Sequence, residues 1–258
     1  MQFSKWHALG NSYLVVEQPD AGPIDPARAR RLCDVNTGIG SDGVLEIVRR
    51  TTDHVEVVIW NPDGSTAEMS GNGVRIAARW LAAETGEAAV TVTVSHRQVE
   101  VEILPDGLFL RTDHGAVDVG DVEVLIAGES GEIIEFVAAS LGNPHAIVRR
   151  DELTRPDLLR LGPLIETHSR FPDRTNVQLV RVDGQHDLAV LVWERGAGET
   201  ASSGSSSVAA AATAVAQGWC SNPVTVHLPG GQLTVEVEGD CAWLTGPAEE
   251  ICRGSTSI

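Results

Sequence analysis

Two short stretches carry the residue types needed to grip a small anion. One is Ser70-Gly71-Asn72-Gly73. The other is Ser203-Gly204-Ser205, set within a run of hydroxyls and small side chains over positions 202–207. Each follows a Val/Ile-rich segment that ends in tryptophan, Trp60 or Trp193, and each leads into an apolar helical stretch. The first N–H groups of a helix have no internal acceptor, and the helix dipole adds partial positive charge there, so such a start holds a carboxylate or phosphate well. Taken alone, either stretch is equally an ordinary helix capped by serine.

The two stretches are copies. Trp60 precedes Ser70 by the same ten residues that separate Trp193 from Ser203. Trp60 is followed by Asn61, and Trp193 by Glu194. Upstream, Gly10-Asn11 is echoed by Gly142-Asn143. The offsets are 132, 133 and 133 residues, so one register shift relates all three pairs. This is a two-fold repeat of long units, each ending at a helix start.

Alternating and turn residues place the elements that must hold these starts. Strands are expected within 2–16 with a turn at Gly10-Asn11, and at 44–48, 55–60, 89–95, 99–104 and 108–112. Helices are expected over 25–34, opened by Asp25-Pro26, and over 72–83. The loop 38–43 has three glycines in six residues. It reads either as backbone N–H groups brought near a ligand or as a plain turn. Residues 116–119 read as the connection between halves. The second half continues with strands at 133–140, 146–148, 176–182 and 187–193, short helices at 156–161 and 164–168, a helix at 205–217 and three closing strands.

Composition bounds the function. The 258 residues suffice for one large domain or two modest ones. A net charge of −17 argues against nucleic acid or an anionic membrane as partner. The N-terminal ten residues hold no apolar signal core, and no apolar run reaches spanning length, so a cytoplasmic location is expected. Cys33, Cys220, Cys241 and Cys252 show no metal-site spacing and read as structural thiols in a reducing compartment.

The motifs together resemble the diaminopimelate epimerases. In family order stand Gly10-Asn11-Ser12, the glycines 38–43, Asn61-Pro62-Asp63-Gly64-Ser65, Glu68-Met69-Ser70-Gly71-Asn72-Gly73, Gly142-Asn143-Pro144-His145, Arg174-Thr175-Asn176 and Glu194-Arg195-Gly196-Ala197-Gly198-Glu199-Thr200. The resemblance spans residues 3–218 at least. Two departures stand out. The family works with two cysteines as opposed acid and base, and the matching positions here are Ser70 and Ser203. The family's Gly-Asn-Asp-Phe segment reads Gly10-Asn11-Ser12-Tyr13.

The resemblance implies an α+β fold of two pseudo-symmetric halves, each a β-barrel-like sheet around a central helix, with the active-site cleft between them. The halves would be 1–117, completed by a last strand at about 247–258, and 118–246. It implies an isomerase of lysine biosynthesis that interconverts LL- and meso-diaminopimelate without metal, pyridoxal phosphate or other cofactor. Ser70, Ser203, His145 and Glu194 would form the catalytic neighbourhood. Asn11, Asn61, Gly71, Asn72, Asn143, Asn176, Glu194, Arg195, Gly204 and Ser205 would bind substrate. The chemistry suits this: a guanidinium takes a carboxylate bidentately, a carboxylate takes an ammonium, and an amide takes either. The expected partner is a small amino acid, with no nucleic acid or membrane, and a homodimer is allowed.

Cofactor-independent epimerisation needs a base on one face of the α-carbon and an acid on the other. A thiol, with a reference pKa of about 8.5, suits both roles, whereas a serine hydroxyl needs an adjacent base. Four readings stay open: an epimerase whose cysteines were changed to serine, a natural Ser/Ser relative using His145 or Glu194 to move the proton, a lyase or dehydratase, and an amino-acid-binding protein without catalysis.

Overall fold

The computed structural model describes residues 1–128 and 131–258. The chain forms two compact units, Met1–Thr112 with Thr245–Ile258, and Asp113–Leu244.

In the first unit β1 (Gln2–Ala8) and β2 (Asn11–Glu17) form a hairpin, followed by the single turn α1 (Gln18–Ala21) and by α2 (Pro26–Cys33). Asp25 caps α2 by accepting the Arg28 N–H at 2.8 Å. Then come β3 (Val44–Arg50), β4 (His54–Trp60), β5 (Thr66–Ala67), α3 (Gly71–Thr85), β6 (Ala89–Val94), β7 (Arg97–Ile103) and β8 (Phe109–Ala116). β2 runs parallel to β3 and β4 parallel to β6, while β1–β2, β3–β4, β4–β5, β6–β7 and β7–β8 are antiparallel. The sheet wraps α3, whose Val74, Ile76, Ala77, Trp80 and Leu81 pack with Val57, Ile59, Val92 and Val101 in one core. Gly86, left-handed at φ 80°, ends the helix.

The second unit repeats this plan. β9 (Asp118–Ala127), β10 (Glu132–Ser140), β11 (Pro144–Arg149), α4 (Arg155–Glu166), β12 (Asn176–Val182), β13 (Asp187–Glu194), β14 (Gly198–Thr200), α5 (Gly204–Ala216), β15 (Val224–Leu228), β16 (Gly231–Glu238) and β17 (Cys241–Pro247) follow in order. Here β11 runs parallel to β12 and β13 parallel to β15, with β10–β11, β12–β13, β13–β14 and β15–β16 antiparallel. Even the register is duplicated, Val44 facing Trp60 and Val177 facing Trp193. α5 is apolar on all sides and buried nearly throughout, as a helix enclosed by sheet must be. Its alanines let the strands approach closely. The last strand, β18 (Glu249–Ser255), pairs antiparallel with β1 in the first unit.

The one-residue difference between the repeat offsets has a local cause. Ala8 pairs with Asn11 across a two-residue loop, whereas Ser140 pairs with Pro144 across three residues. In the first loop Leu9 and Gly10 both have positive φ, 53° and 83°. That is the geometry that lets a two-residue loop follow the twist of its strands.

At the expected connection 116–119, β8 runs to Ala116 and β9 starts at Asp118, with Val117 between them. Several expectations are corrected. β9 escaped the pattern because its apolar Val122, Val124 and Ile126 face solvent, while Leu125, on the face shared with Asp121 and Glu123, is buried. The two short helices are one, α4, which continues through Pro163. Leu158, Leu161 and Ile165 keep one buried face across the proline, and that packing outweighs the local penalty. Four strands close the chain, not three. In the loop 38–43, Gly38 and Gly40 donate their N–H groups to Asp34 and Leu32 carbonyls, and Ser41 and Asp42 to Cys33 and Ser12. This loop is a turn tied to its own unit.

Candidate functional site

Ser70 is the N-cap of α3. Its backbone is extended and its Oγ accepts the Gly73 N–H at 3.1 Å. The hydroxyl of Tyr13, buried on β2, lies 3.2 Å from the same oxygen. One turn into α3, Arg75 is fully buried. Its Nη2 donates to Asn72 Oδ1 at 2.5 Å and its Nη1 to the Gly71 carbonyl at 3.3 Å. Asn72 Nδ2 then donates to Asn11 Oδ1 at 3.2 Å. Asn11, Asn72 and the start of α3 are thereby one network. The guanidinium beneath them bonds to an amide and a carbonyl rather than to a carboxylate. Burial lowers its pKa to about 10. Its positive charge adds to the dipole of the helix start.

Asn61 is placed differently. Its Nδ2 donates to Ser65 Oγ at 2.9 Å and its backbone closes the turn over Gly64 and Ser65, so its side chain serves its own loop. A depression of about 280 Å³ in this unit, lined by Lys5, Ser12, Ile39, Ser41 and Asp42, contains none of the predicted site residues.

In the second unit Ser203 is the N-cap of α5, extended like Ser70 but with no capping bond from its side chain. Glu194 closes β13. Burial raises its carboxyl above the usual range, and the nearby Ser203 hydroxyl partly offsets this, so the carboxylate is more basic than an exposed one.

His145, fully buried on β11, has its Nδ1 3.1 Å from Gln178 Nε2, which also donates to Ser206 Oγ at 2.9 Å. Its Nε2 is buried without a partner among the described residues. Burial first, and then the Arg195 charge, push the imidazole down to about 4, so it is neutral at pH 7. Asn176 bridges two segments: its Nδ2 donates to the Pro144 carbonyl at 3.0 Å and its Oδ1 accepts the Arg195 N–H at 3.0 Å. It fixes the loop that carries Asn143 against the loop that carries Arg195. Arg195 is exposed and reaches the Asp173 carbonyl at 3.2 Å through Nη1. Gly204 is buried and Ser205 half-buried in the first turn of α5.

The chain matches the diaminopimelate epimerase family model over residues 3–124 and 137–251. The chain belongs to the diaminopimelate epimerase family. It is 37% identical over 255 residues to diaminopimelate epimerase 2 of a Nostoc species, covering 93% of this chain and 90% of that one. It is 36% identical to the diaminopimelate epimerase of Stutzerimonas stutzeri, covering 100% and 99%. Among solved structures it is similar to a hydroxyproline epimerase from Agrobacterium vitis, with a TM-score of 0.71 at 17% identity over 98% of this chain and 90% of that one. It is also similar to a PhzF-family phenazine biosynthesis protein from Bacillus anthracis, with a TM-score of 0.74 at 13% identity over 100% and 99%. These two likenesses concern the fold, which is α+β with the duplicated plan described above.

Sequence reasoning missed several residues around these family motifs. Glu46, buried on β3, accepts the Trp60 indole N–H at 2.8 Å, and Glu166, buried at the end of α4, accepts that of Trp193 at 2.8 Å. Glu166 also accepts the Gly196 N–H at 2.7 Å and pairs with Arg174. Gln178, Ser206, Arg75 and Tyr13 complete the set. A charged residue inside an otherwise apolar strand, such as Glu46, was the available signal. All four cysteines are free thiols, Cys33 and Cys220 buried, Cys241 and Cys252 exposed. No described helix is long and apolar enough to cross a membrane.

Proposed function

We propose that this protein is a cofactor-independent epimerase of the cytoplasm, inverting an α-carbon of diaminopimelate or a closely related amino acid. Ser70 and Ser203 stand in for the family's acid–base pair. The observation that carries this reading is that Ser70 and Ser203, at the positions of the family's two cysteines, are each the N-cap of the central helix of their unit. A serine needs a basic neighbour to take a proton, and burial makes the Glu194 carboxylate more basic. The membership of the whole chain in the family supports the substrate class. The starts of α3 and α5, with Gly71, Asn72, Gly204 and Ser205, hold the reacting carboxylate. Arg195 takes the distal carboxylate, and Asn11, Asn143, Glu194 and the Oδ1 of Asn61, whose Nδ2 is already given to Ser65, the amino groups. Asn176 acts by holding the Asn143 and Arg195 loops. His145, neutral and with an unpartnered Nε2, offers a further polar contact. A homodimer is the assembly to test by sedimentation.

The deciding experiment follows the α-hydrogen of LL- and meso-diaminopimelate in deuterated water. An epimerase incorporates deuterium and interconverts the isomers. Formation of an oxo or unsaturated product would replace this reading with a lyase. Binding with neither exchange nor inversion would leave only an amino-acid-binding protein.

A further inference from the structure

We infer that Glu166 is a positioning residue for Arg195: a buried carboxylate at the end of α4 that fixes the loop on which Arg195 stands, and with it the point where the second carboxylate of a dicarboxylic amino acid is held. The inference rests on the distal-carboxylate role given to Arg195 above.

The loop is short and lies on the surface. Glu194 pairs with Gly198 in the β13–β14 hairpin, so Arg195, Gly196 and Ala197 form its loop, and all three are exposed. Exposed loops leave most of their N–H groups to water. Here the first two go to side chains that solvent hardly reaches. The Arg195 N–H is donated to Asn176 Oδ1 at 3.0 Å and the Gly196 N–H to Glu166 Oε1 at 2.7 Å. Asn176 and Glu166 are both buried, and they come from different elements, β12 and α4.

Glu166 is itself fixed. Its Oε2 accepts the Trp193 indole N–H at 2.8 Å, and its Oε1 pairs with Arg174 Nη2 at 2.5 Å. An indole, a peptide N–H and a guanidinium can only donate, so the direction of all three bonds follows from the chemistry. Gly162, on the same face of α4, lets the Trp193 ring lie against the helix, since a Cβ there would be 2.6 Å from the ring. Glu166 therefore grips the chain on both sides of Glu194 and Arg195, the residue before the pair by its side chain and the residue after it by its backbone. Holding an indole does not require this. In the first unit Glu46 holds Trp60, and its other bonds go to Gln18 and Ile24. The bond to the loop belongs to the carboxylate of the second unit, where Arg195 stands. A loop ordered in advance spares the ligand the cost of ordering it.

Glu166→Met removes the acceptors and keeps much of the volume. The donors it frees can reach water, since the Arg174 side chain is half-exposed, Gly196 exposed and Trp193 half-buried, so the fold should be retained. Binding of diaminopimelate, read by calorimetry, should weaken about tenfold, as for a loop that keeps its binding position about one-tenth of the time. Glu166→Gln still offers Gly196 an oxygen and should recover most of this loss. In the Glu166→Met background Arg195→Lys should cost much less than in the unaltered protein, because the two residues act as one. A Glu166→Met protein that binds as the unaltered one does, equal losses in the Met and Gln variants, or additive effects of Glu166→Met and Arg195→Lys overturn the positioning role and leave the Arg195 reading standing. Arg195→Lys without effect on its own, or an unaltered protein that does not bind diaminopimelate, overturns both. If Glu166→Met does not fold, amide hydrogen exchange in the unaltered protein decides. Protection of the Arg195 and Gly196 amides is expected, and a Gly196 amide that exchanges as in an open chain overturns the inference.

Discussion

His145 Nδ1 lies 3.1 Å from Gln178 Nε2, inside the second unit and out of reach of solvent. The imidazole is therefore neutral when folded, its pKa lowered from 6.5 to about 4, chiefly by burial. Above pH 6.5 the group is neutral in both states and its contribution to stability is intact. Below that, the unfolded chain takes up a proton that the folded chain refuses, so stability falls as pH drops towards 4. The loss should reach the order of 3 kcal/mol. Urea unfolding between pH 7 and pH 4 should show a shallower pH dependence for His145→Leu than for the unaltered protein. Parallel curves would mean that other groups carry the acid sensitivity.

Gly43→Ala should destabilise the first unit by about 1–3 kcal/mol, the usual range for overpacking. The added carbon would meet Tyr13 Cε1 at 2.5 Å and the Trp60 carbonyl oxygen at 2.7 Å. The strand backbone at Trp60 cannot yield cheaply, so the ring must shift. Denaturation midpoints measure the first effect. An unchanged midpoint would show that the strands β2 to β4 separate without penalty.

Arg195→Lys should weaken a dicarboxylic diamino acid by about 1.5–3 kcal/mol, the range for hydrogen bonds to charged groups. Lysine keeps the charge and loses the planar fork. A monocarboxylic amino acid should be affected much less. Calorimetric titration with both ligand classes is the check, and equal losses would remove Arg195 from the distal carboxylate.

The double change Ser70→Cys with Ser203→Cys should raise inversion of diaminopimelate by at least about 10²-fold. A thiol at a helix start is partly ionised near neutral pH, and a hydroxyl is not. Each single change should do much less, because inversion needs both faces served. Stereoisomer analysis on all four proteins is the measurement. A double variant that folds and binds but stays at the starting rate would show that the serines are not stand-ins for a thiol pair.

Much of this fold was legible because the duplicated features are local. A tryptophan ending a strand and a serine opening a helix are visible at fixed spacing, and the offset of 133 carried directly into the register of β3–β4 and β12–β13. What escaped depends on distance in the chain. Tyr13 and Ser70 are 57 residues apart, and no periodicity links them. β9 turns the apolar residues of its alternation, Val122, Val124 and Ile126, to solvent, so the pattern did not mark a buried strand. Pro163 reads as a breaker, and only the packing of Leu161 and Ile165 shows why the helix passes through it. The glycines of 38–43 left a ligand loop and a plain turn both open, and the Gly38 and Gly40 N–H groups go to nearby carbonyls.

Each tryptophan of the repeat has its indole N–H tethered to a buried carboxylate, Glu46 on a strand in one unit and Glu166 at a helix end in the other. Their positions differ by 120 residues, not 133, so the two carboxylates are not copies of one ancestral residue. The two units therefore secure the same repeat tryptophan from different elements, a strand in one and the end of a helix in the other, so that losing Glu46 and losing Glu166 would release equivalent indoles by loosening unlike parts of the fold.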